Sequence, residues 1–136
     1  MAKNRQKTLD LPKLEPTPNI EPIALDLVEF YISRAEIFYA EGSVEQSIEN
    51  ARLALALCKQ ETHVEKSTAI RIFIAKALAR LGRIDASNRE YRALIDEGIY
   101  LPPIILGLLH NNLNSDSTES HEKAQRNMEL VKLFLR

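Results

Sequence analysis

The sequence predicts an all-α domain of about six helices, paired into antiparallel hairpins that stack one on the next. Three observations carry this. The first is an internal echo. Ala35-Glu36-Ile37-Phe38-Tyr39-Ala40-Glu41-Gly42-Ser43-Val44 is answered 40 residues later by Ala75-Lys76-Ala77-Leu78-Ala79-Arg80-Leu81-Gly82-Arg83-Ile84. Each copy runs from a small residue to an apolar one and then to a helix-ending Gly, and a new helix signal comes at once. The second is apolar recurrence at three- and four-residue intervals along most of the chain. The third is composition: the apolar residues are mostly Leu, Ile and Ala, with only four Gly and no Trp, which favours helices over sheet. Repeated hairpins of this kind form arrays that generally bind other chains.

Residues 1–19 stand apart as an N-terminal arm. Lys3, Arg5 and Lys7 make its start basic. Pro12, Pro16 and Pro18 forbid continuous helix and favour extended backbone. Such an arm is either a disordered tail, or a strap whose Leu9, Leu11 and Leu14 dock on the body or a partner. The helical domain covers 20–136. Pro22 suits a first helical turn, where its missing N–H is not needed. Ile20, Ile23, Leu27, Val28, Tyr31, Ala35 and Phe38 carry that helix to Gly42. Ser43 and Gln46 form a capping box for a second helix, whose apolar line is Val44, Ile48, Ala51 and Leu55. Leu53 and Leu57 widen the stripe, so burial on more than one side is expected.

Thr62 and Glu65 form another box, opening a long third helix through Ile70, Ile74, Ala77, Leu78 and Leu81 to Gly82. Asp85 is the expected N-cap of the fourth, with Ala86, Tyr91, Leu94 and Ile95 inward and Gly98 at its end. Pro102 and Pro103 start a short fifth helix through Ile105, Leu106, Leu109 and Leu113. Residues 114–118 are a polar loop. The sixth helix begins near Thr118. Ala124, Met128, Val131 and Leu135 mark one of its faces, and Leu130, Leu133 and Phe134 another.

Composition limits function. The 136 residues, 45% apolar and 27% charged, suit one domain with a moderate core. A net charge of −1 gives no reason to expect nucleic acid or an anionic membrane as partner. Cys58 is the only cysteine, so a reducing, cytoplasmic compartment is expected. No apolar run reaches the roughly 20 residues of a membrane span, and the basic start lacks the apolar stretch of a secretory signal. His63, His110 and His121 fall on separate helices and make no metal pattern with Cys58. His110 reads as a packing residue and Cys58 as a small apolar filler. No phosphate-binding Gly loop is present. Arg71, Lys76, Arg80, Arg83 and Arg89 cluster, but few aromatics lie among them, so a solvated face is expected rather than a nucleic-acid site. No catalytic residue, cofactor or metal is expected, and the chain reads as no enzyme.

The hairpins resemble the tetratricopeptide repeat family, whose unit is about 34 residues. Tyr31, Ala35 and Phe38, then Gly42, then Ser47, Ala51 and Ala54-Leu55 stand at the family's positions in a first unit. Ile74-Ala75, Leu78, Leu81-Gly82, Ser87, Tyr91 and Leu94 do so in a second. Leu106-Gly107, His110, Ala124, Met128 and Val131 do so, with an insertion, in a third. The repeat distance is 40 rather than 34, with the excess at 58–67 and a longer third helix expected from it. The family's Trp and its closing Pro are absent. The resemblance covers roughly 28–136 and implies a short right-handed solenoid that holds a protein segment in its concave face, as an adaptor or as an assembly or secretion chaperone of bacterial type.

The same resemblance places Ile32, Glu36, Tyr39, Ile72, Lys76, Arg80, Ile104, Leu108 and Asn111 on the concave face, with Glu29, Ala69, Leu101 and Asn112 beside them. An amphipathic helix or extended peptide is the expected occupant; a neighbouring helix or the N-terminal arm is the alternative. Ile32 and Glu36 stand where carboxylate-clamp members carry Lys and Asn, which argues against that subclass. Leu130, Leu133 and Phe134 on the last helix form a second expected partner surface. The alternative function is a structural subunit or homo-oligomer held by the arm and this helix.

Ala35 is expected to face Ser47, and Ala75 to face Ser87, because helices approach closely only across small side chains. Ala35→Leu should therefore cost about 1–3 kcal/mol by overpacking, read as a lowered melting temperature. An unchanged melt would show that the crossing lies elsewhere.

Overall fold

In a computed structural model of the chain, residues 21–58, 63–114 and 120–135 are described, excepting the side chains of 21–26 and 120. Among them there are six helices and no strand: α1 (Glu21–Glu41), α2 (Val44–Leu57), α3 (Val64–Arg80), α4 (Ile84–Asp96), α5 (Pro102–Asn114) and α6 (Ser120–Phe134). The expected N-terminal arm, the Thr62 cap and residues 115–118 of the polar loop lie outside the described residues.

The chain reverses tightly after α1 and α3. Gly42 and Gly82 adopt φ of +89° and +84°, a left-handed conformation that costs glycine little and other residues more. The next N–H then reaches back across the turn. Ser43 N donates to Phe38 O at 2.9 Å and Arg83 N to Leu78 O at 2.9 Å. Ile99 N does the same to Leu94 O at 3.0 Å where α4 ends. Each bond satisfies a helix-end carbonyl in a Schellman arrangement.

Helix starts differ from expectation. Ser43 occupies the N-cap of α2, yet its side chain makes no capping bond. Arg83, not Asp85, occupies the N-cap position of α4 and makes no side-chain capping bond, and Asp85 falls within the first turn, where its charge still complements the helix dipole. The extra length of the second repeat does not lengthen its first helix. α3 has 17 residues against 21 in α1.

The hairpins close on small residues. Ala35 and Ser47 are both buried, and Ser47 Oγ donates to Ala35 O at 2.7 Å. Ala75 and Ser87 repeat the arrangement, again at 2.7 Å. A carbonyl within a helix keeps a second lone pair, so the serine adds a bond without breaking the helix ladder. Ala75 and Ser87 near the turn, with Arg71 and Glu97 far from it, make α3 and α4 antiparallel. α5 and α6 meet through Asn112 Nδ2, which donates to Asn127 Oδ1 at 2.9 Å.

Two cores result. Val28, Ala35, Ile48, Ala51, Ala54, Ile70, Ile74, Ala77 and Leu78 unite α1, α2 and α3. Ala75, Tyr91, Leu94, Ile104, Ile105, Leu108 and Leu130 unite α3 to α6. Helix α3 is the shared wall, with faces in both. The second core also carries a polar tie: Asn111 Nδ2 donates to Ser87 Oγ at 2.9 Å and to Asn88 Oδ1 at 2.8 Å.

Ser87 therefore joins three helices, whereas Ser47 joins two. Ser47→Ala should cost about 0.5–1.5 kcal/mol. Ser87→Ala removes an acceptor from buried Asn111 as well and should cost about 1–3 kcal/mol. Denaturant melts of both variants check this; equal losses would refute the three-helix role of Ser87.

Candidate functional site

The candidate site grows from Tyr39, at the C-terminal end of α1. Its ring meets Phe73 of α3 with centroids 5.4 Å apart. The Arg80 guanidinium lies 4.5 Å from its centroid and the Lys76 ammonium 5.9 Å, both within cation–π range. Arg80 Nη1 also donates to Tyr39 O at 2.7 Å. Near the other end of these helices, Lys66 pairs with Glu29. These contacts run in the same order along both helices, so α1 and α3 lie parallel. Arg80 and Lys76 stand side by side because they are four residues apart on one helix.

Beside this pair a cleft of about 1260 Å³ opens between α3 and α5. Ile72, Lys76 and Arg80 line the α3 side, Pro103, Leu106 and His110 the α5 side, and Asp85 comes from α4. Tyr91 and Asn111 form the deep part. Burial, reinforced by Tyr39, pushes the Tyr91 phenol above its ordinary value, so it remains a neutral hydroxyl at physiological pH. The Tyr91 ring lies so close to Gly107 that a Cβ there would stand 2.3 Å from its Cζ. Helix α5 can lie on Tyr91 at this depth only with glycine at that position. A second hollow of about 340 Å³, between α1 and α3, is lined by Ile32, Glu36, Ala69 and Phe73 among others.

The expected concave residues divide between these places. Tyr39, Ile72, Lys76, Arg80 and Asn111 border the large cleft, and Ile32 and Glu36 the small hollow. Two assignments on α5, Ile104 and Leu108, need correction, while Asn111 lines the cleft from a buried position. Ile104 and Leu108 have no exposed surface, and Asn111 is buried in its bonds to Ser87 and Asn88. Asn112 is likewise buried. Leu130 is also corrected, because it is buried in the second core, with Leu133 partly buried against it. Phe134 is exposed as expected.

Sequence reasoning missed the opposite stripe of α5, where Pro103, Leu106, His110 and Asn114 face the cleft. Their three- and four-residue spacing was a legible signal. Helix α5 is apolar nearly all round, however, and its phase is set by Gly107 on Tyr91 and Asn111 on Ser87. His110 is accordingly exposed, with Nε2 2.9 Å from Asn114 Nδ2, and is not the packing residue expected. Cys58 is half-buried, and burial raises its thiol pKa.

Two members of the basic cluster have acidic partners, whereas Lys76 and Arg80 lie over the Tyr39 ring. Arg71 makes two bonds to the Glu97 carboxylate, at 2.9 and 2.8 Å, and Arg83 pairs with Glu45 at 2.8 Å. Among the described residues no three His, Cys, Asp or Glu side chains gather as metal ligands. None of their helices is long and apolar enough to cross a membrane. No protein-family model, curated protein or solved structure matches the chain.

The Arg71 hydrogen bonds hold the Glu97 carboxyl below its ordinary pKa. A carboxyl lowered in the folded state stabilises above its unfolded value, and that stability is lost as pH falls through the folded one. The Glu97 side chain is half exposed, so solvent screening limits the pair to about 1 kcal/mol or less. Glu97→Gln should lower stability at neutral pH and shrink the loss on acidification below about pH 4. Superimposable pH–stability curves for the two proteins would refute the clip.

Proposed function

We propose that this chain is a protein-binding module of the tetratricopeptide-repeat type, a short solenoid acting as an adaptor or assembly chaperone without catalysis of its own. The observation that supports the reading best is the cleft between α3 and α5. At about 1260 Å³ it exceeds the ~300–1,000 Å³ usual for small-molecule sites. Its lining mixes apolar Ile72, Pro103 and Leu106 with cationic Lys76 and Arg80. A peptide segment with apolar anchors and an acidic residue matches that mixture, through desolvated side chains and charge-assisted bonds. Arg80 is already oriented by Tyr39, which lowers the entropy lost when a carboxylate arrives.

The test begins with peptides selected from a displayed random library against the full chain. Their binding is then titrated by fluorescence anisotropy. Selected peptides should share apolar and acidic positions. Lys76→Glu and Leu106→Glu, both at exposed cleft positions, should each weaken binding about tenfold or more, on the order of 1.4 kcal/mol, with helicity unchanged. A library that yields no ligand, or ligands indifferent to both substitutions, would reject the cleft as the binding site.

A further inference from the structure

The 40-residue repeat lets the same helix position be compared inside the array and at its ends. Adding 40 to positions of α1 gives their counterparts in α3, and the inner positions agree. Val28, Ala35, Thr68 and Ala75 are all buried, and the Ser47 bond to Ala35 recurs as Ser87 to Ala75. The outer positions disagree in a consistent way. Ser67, Ile70, Ile74 and Ala77 of α3 are buried, whereas Leu27, Phe30, Arg34 and Ile37 of α1 are exposed. Ile70 is 4% exposed, and Phe30 is 52%. In α3, Ile70, Ile74 and Ala77 join the core shared with α2 of the preceding hairpin. Helix α1 has no preceding hairpin among the described residues.

The last helix shows the complementary lack. Ser47, Ser87 and Asn127 each hydrogen-bond across their own hairpin, which aligns α2, α4 and α6. One, four and seven residues beyond lie Ile48, Ala51 and Ala54 in α2, and Asn88, Tyr91 and Leu94 in α4. Ile48, Ala51 and Ala54 are buried in the core shared with α3, and Tyr91 and Leu94 in the core shared with α5. In α6 the same positions are Met128, Val131 and Phe134, and all three are exposed. Ile48 is 6% exposed, and Met128 is 63%. Leu130 of the same helix is buried in the core shared by α3 to α6. The apolar stripe that α2 and α4 give to the next hairpin is thus kept on α6 and left uncovered.

We infer that the α6 face of one copy receives the α1 face of a second copy, head to tail, repeating the α2–α3 contact between chains. The occupant is argued from the repeat itself. This chain already packs a second-helix face on a first-helix face within its own fold, and among the described residues it displays one uncovered example of each. Carrying the α2–α3 packing over sets the exposed stripe of Met128, Val131 and Phe134 against the exposed stripe of Leu27, Phe30 and Ile37 on the second copy. Arg34 fits the same picture. Its guanidinium covers the Phe30 and Phe38 rings, at 5.6 and 5.5 Å, and its Nε reaches Asn50 Oδ1 at 3.1 Å. It interrupts the stripe with a charge where α3 has Ile74, so the contact between copies is weaker than the internal one. Two different faces meeting make a heterologous contact, which grows into open chains or rings rather than stopping at a symmetric dimer.

Sedimentation velocity on the full chain over a concentration series tests this. Wild type should show mass rising past dimer. Phe30→Glu and Val131→Glu, each on one exposed face, should each run as monomers with wild-type circular dichroism. An equimolar mixture of the two should form a dimer and nothing larger, because one intact α6 face then meets one intact α1 face. Ile37→Glu and Met128→Glu repeat the experiment should either first variant lose helicity. A wild type that stays monomeric into the high micromolar range overturns the inference and leaves these faces to another protein or to another segment of this chain. A Phe30→Glu variant that still dimerises alone overturns it in favour of a symmetric α6–α6 contact.

Discussion

Ser47 and Ser87 have no exposed surface, and each hydroxyl donates at 2.7 Å to an alanine carbonyl on the facing helix. The helices must be close for that bond to form, and small side chains at the crossing permit the closeness. The bond then discourages separation, because a parted hairpin would leave a buried hydroxyl without a partner. Most of the architecture depends on this constraint. With each hairpin closed on its crossing, the larger residues on either side are turned outward to neighbouring hairpins.

Helix α3 displays the consequence. Locked to α4 through Ala75, it offers Ile70, Ile74, Ala77 and Leu78 to the first core and Ala75 to the second. Its remaining stripe, Ile72, Lys76 and Arg80, borders the large cleft. Ser87 extends the constraint to the third hairpin through Asn111, and the Tyr91 ring on Gly107 sets how deeply α5 lies. Cleft and crossing are therefore mechanically linked. The residues that form the cleft's deep part also hold the third hairpin to the second.

Much of the candidate site is legible in the pattern of residues, and the part that is not has a physical cause. On α3, four-residue spacing puts Ile72, Lys76 and Arg80 on one stripe, and the tetratricopeptide resemblance implies that this stripe lines the concave face. On α5 apolar residues surround the axis, and periodicity cannot choose which of them faces inward. Ile104 and Leu108 turned out to be core, while Leu106, His110 and the buried Asn111 line the cleft. Helix α6 has two apolar faces for the same reason. Leu130 went to the core shared by α3 to α6, and Met128 and Val131 were left outside.

Local chemistry is enough to set the elements. Glycines at 42, 82 and 98, alanines at 35 and 75, and serines at 47 and 87 decide where helices stop and where they cross. Those are local or pairwise requirements, met by backbone freedom and small size. Tertiary packing alone set the rotation of α5 and α6 about their axes, the partners that neutralise Arg71 and Arg83, and the place where Tyr39 meets Arg80. Those outcomes depend on contacts between residues as many as 41 positions apart, where several packings satisfy the same hydrophobic pattern. Buried hydrogen bonds such as Asn111 to Ser87 select among them, because the other packings would leave polar groups without partners.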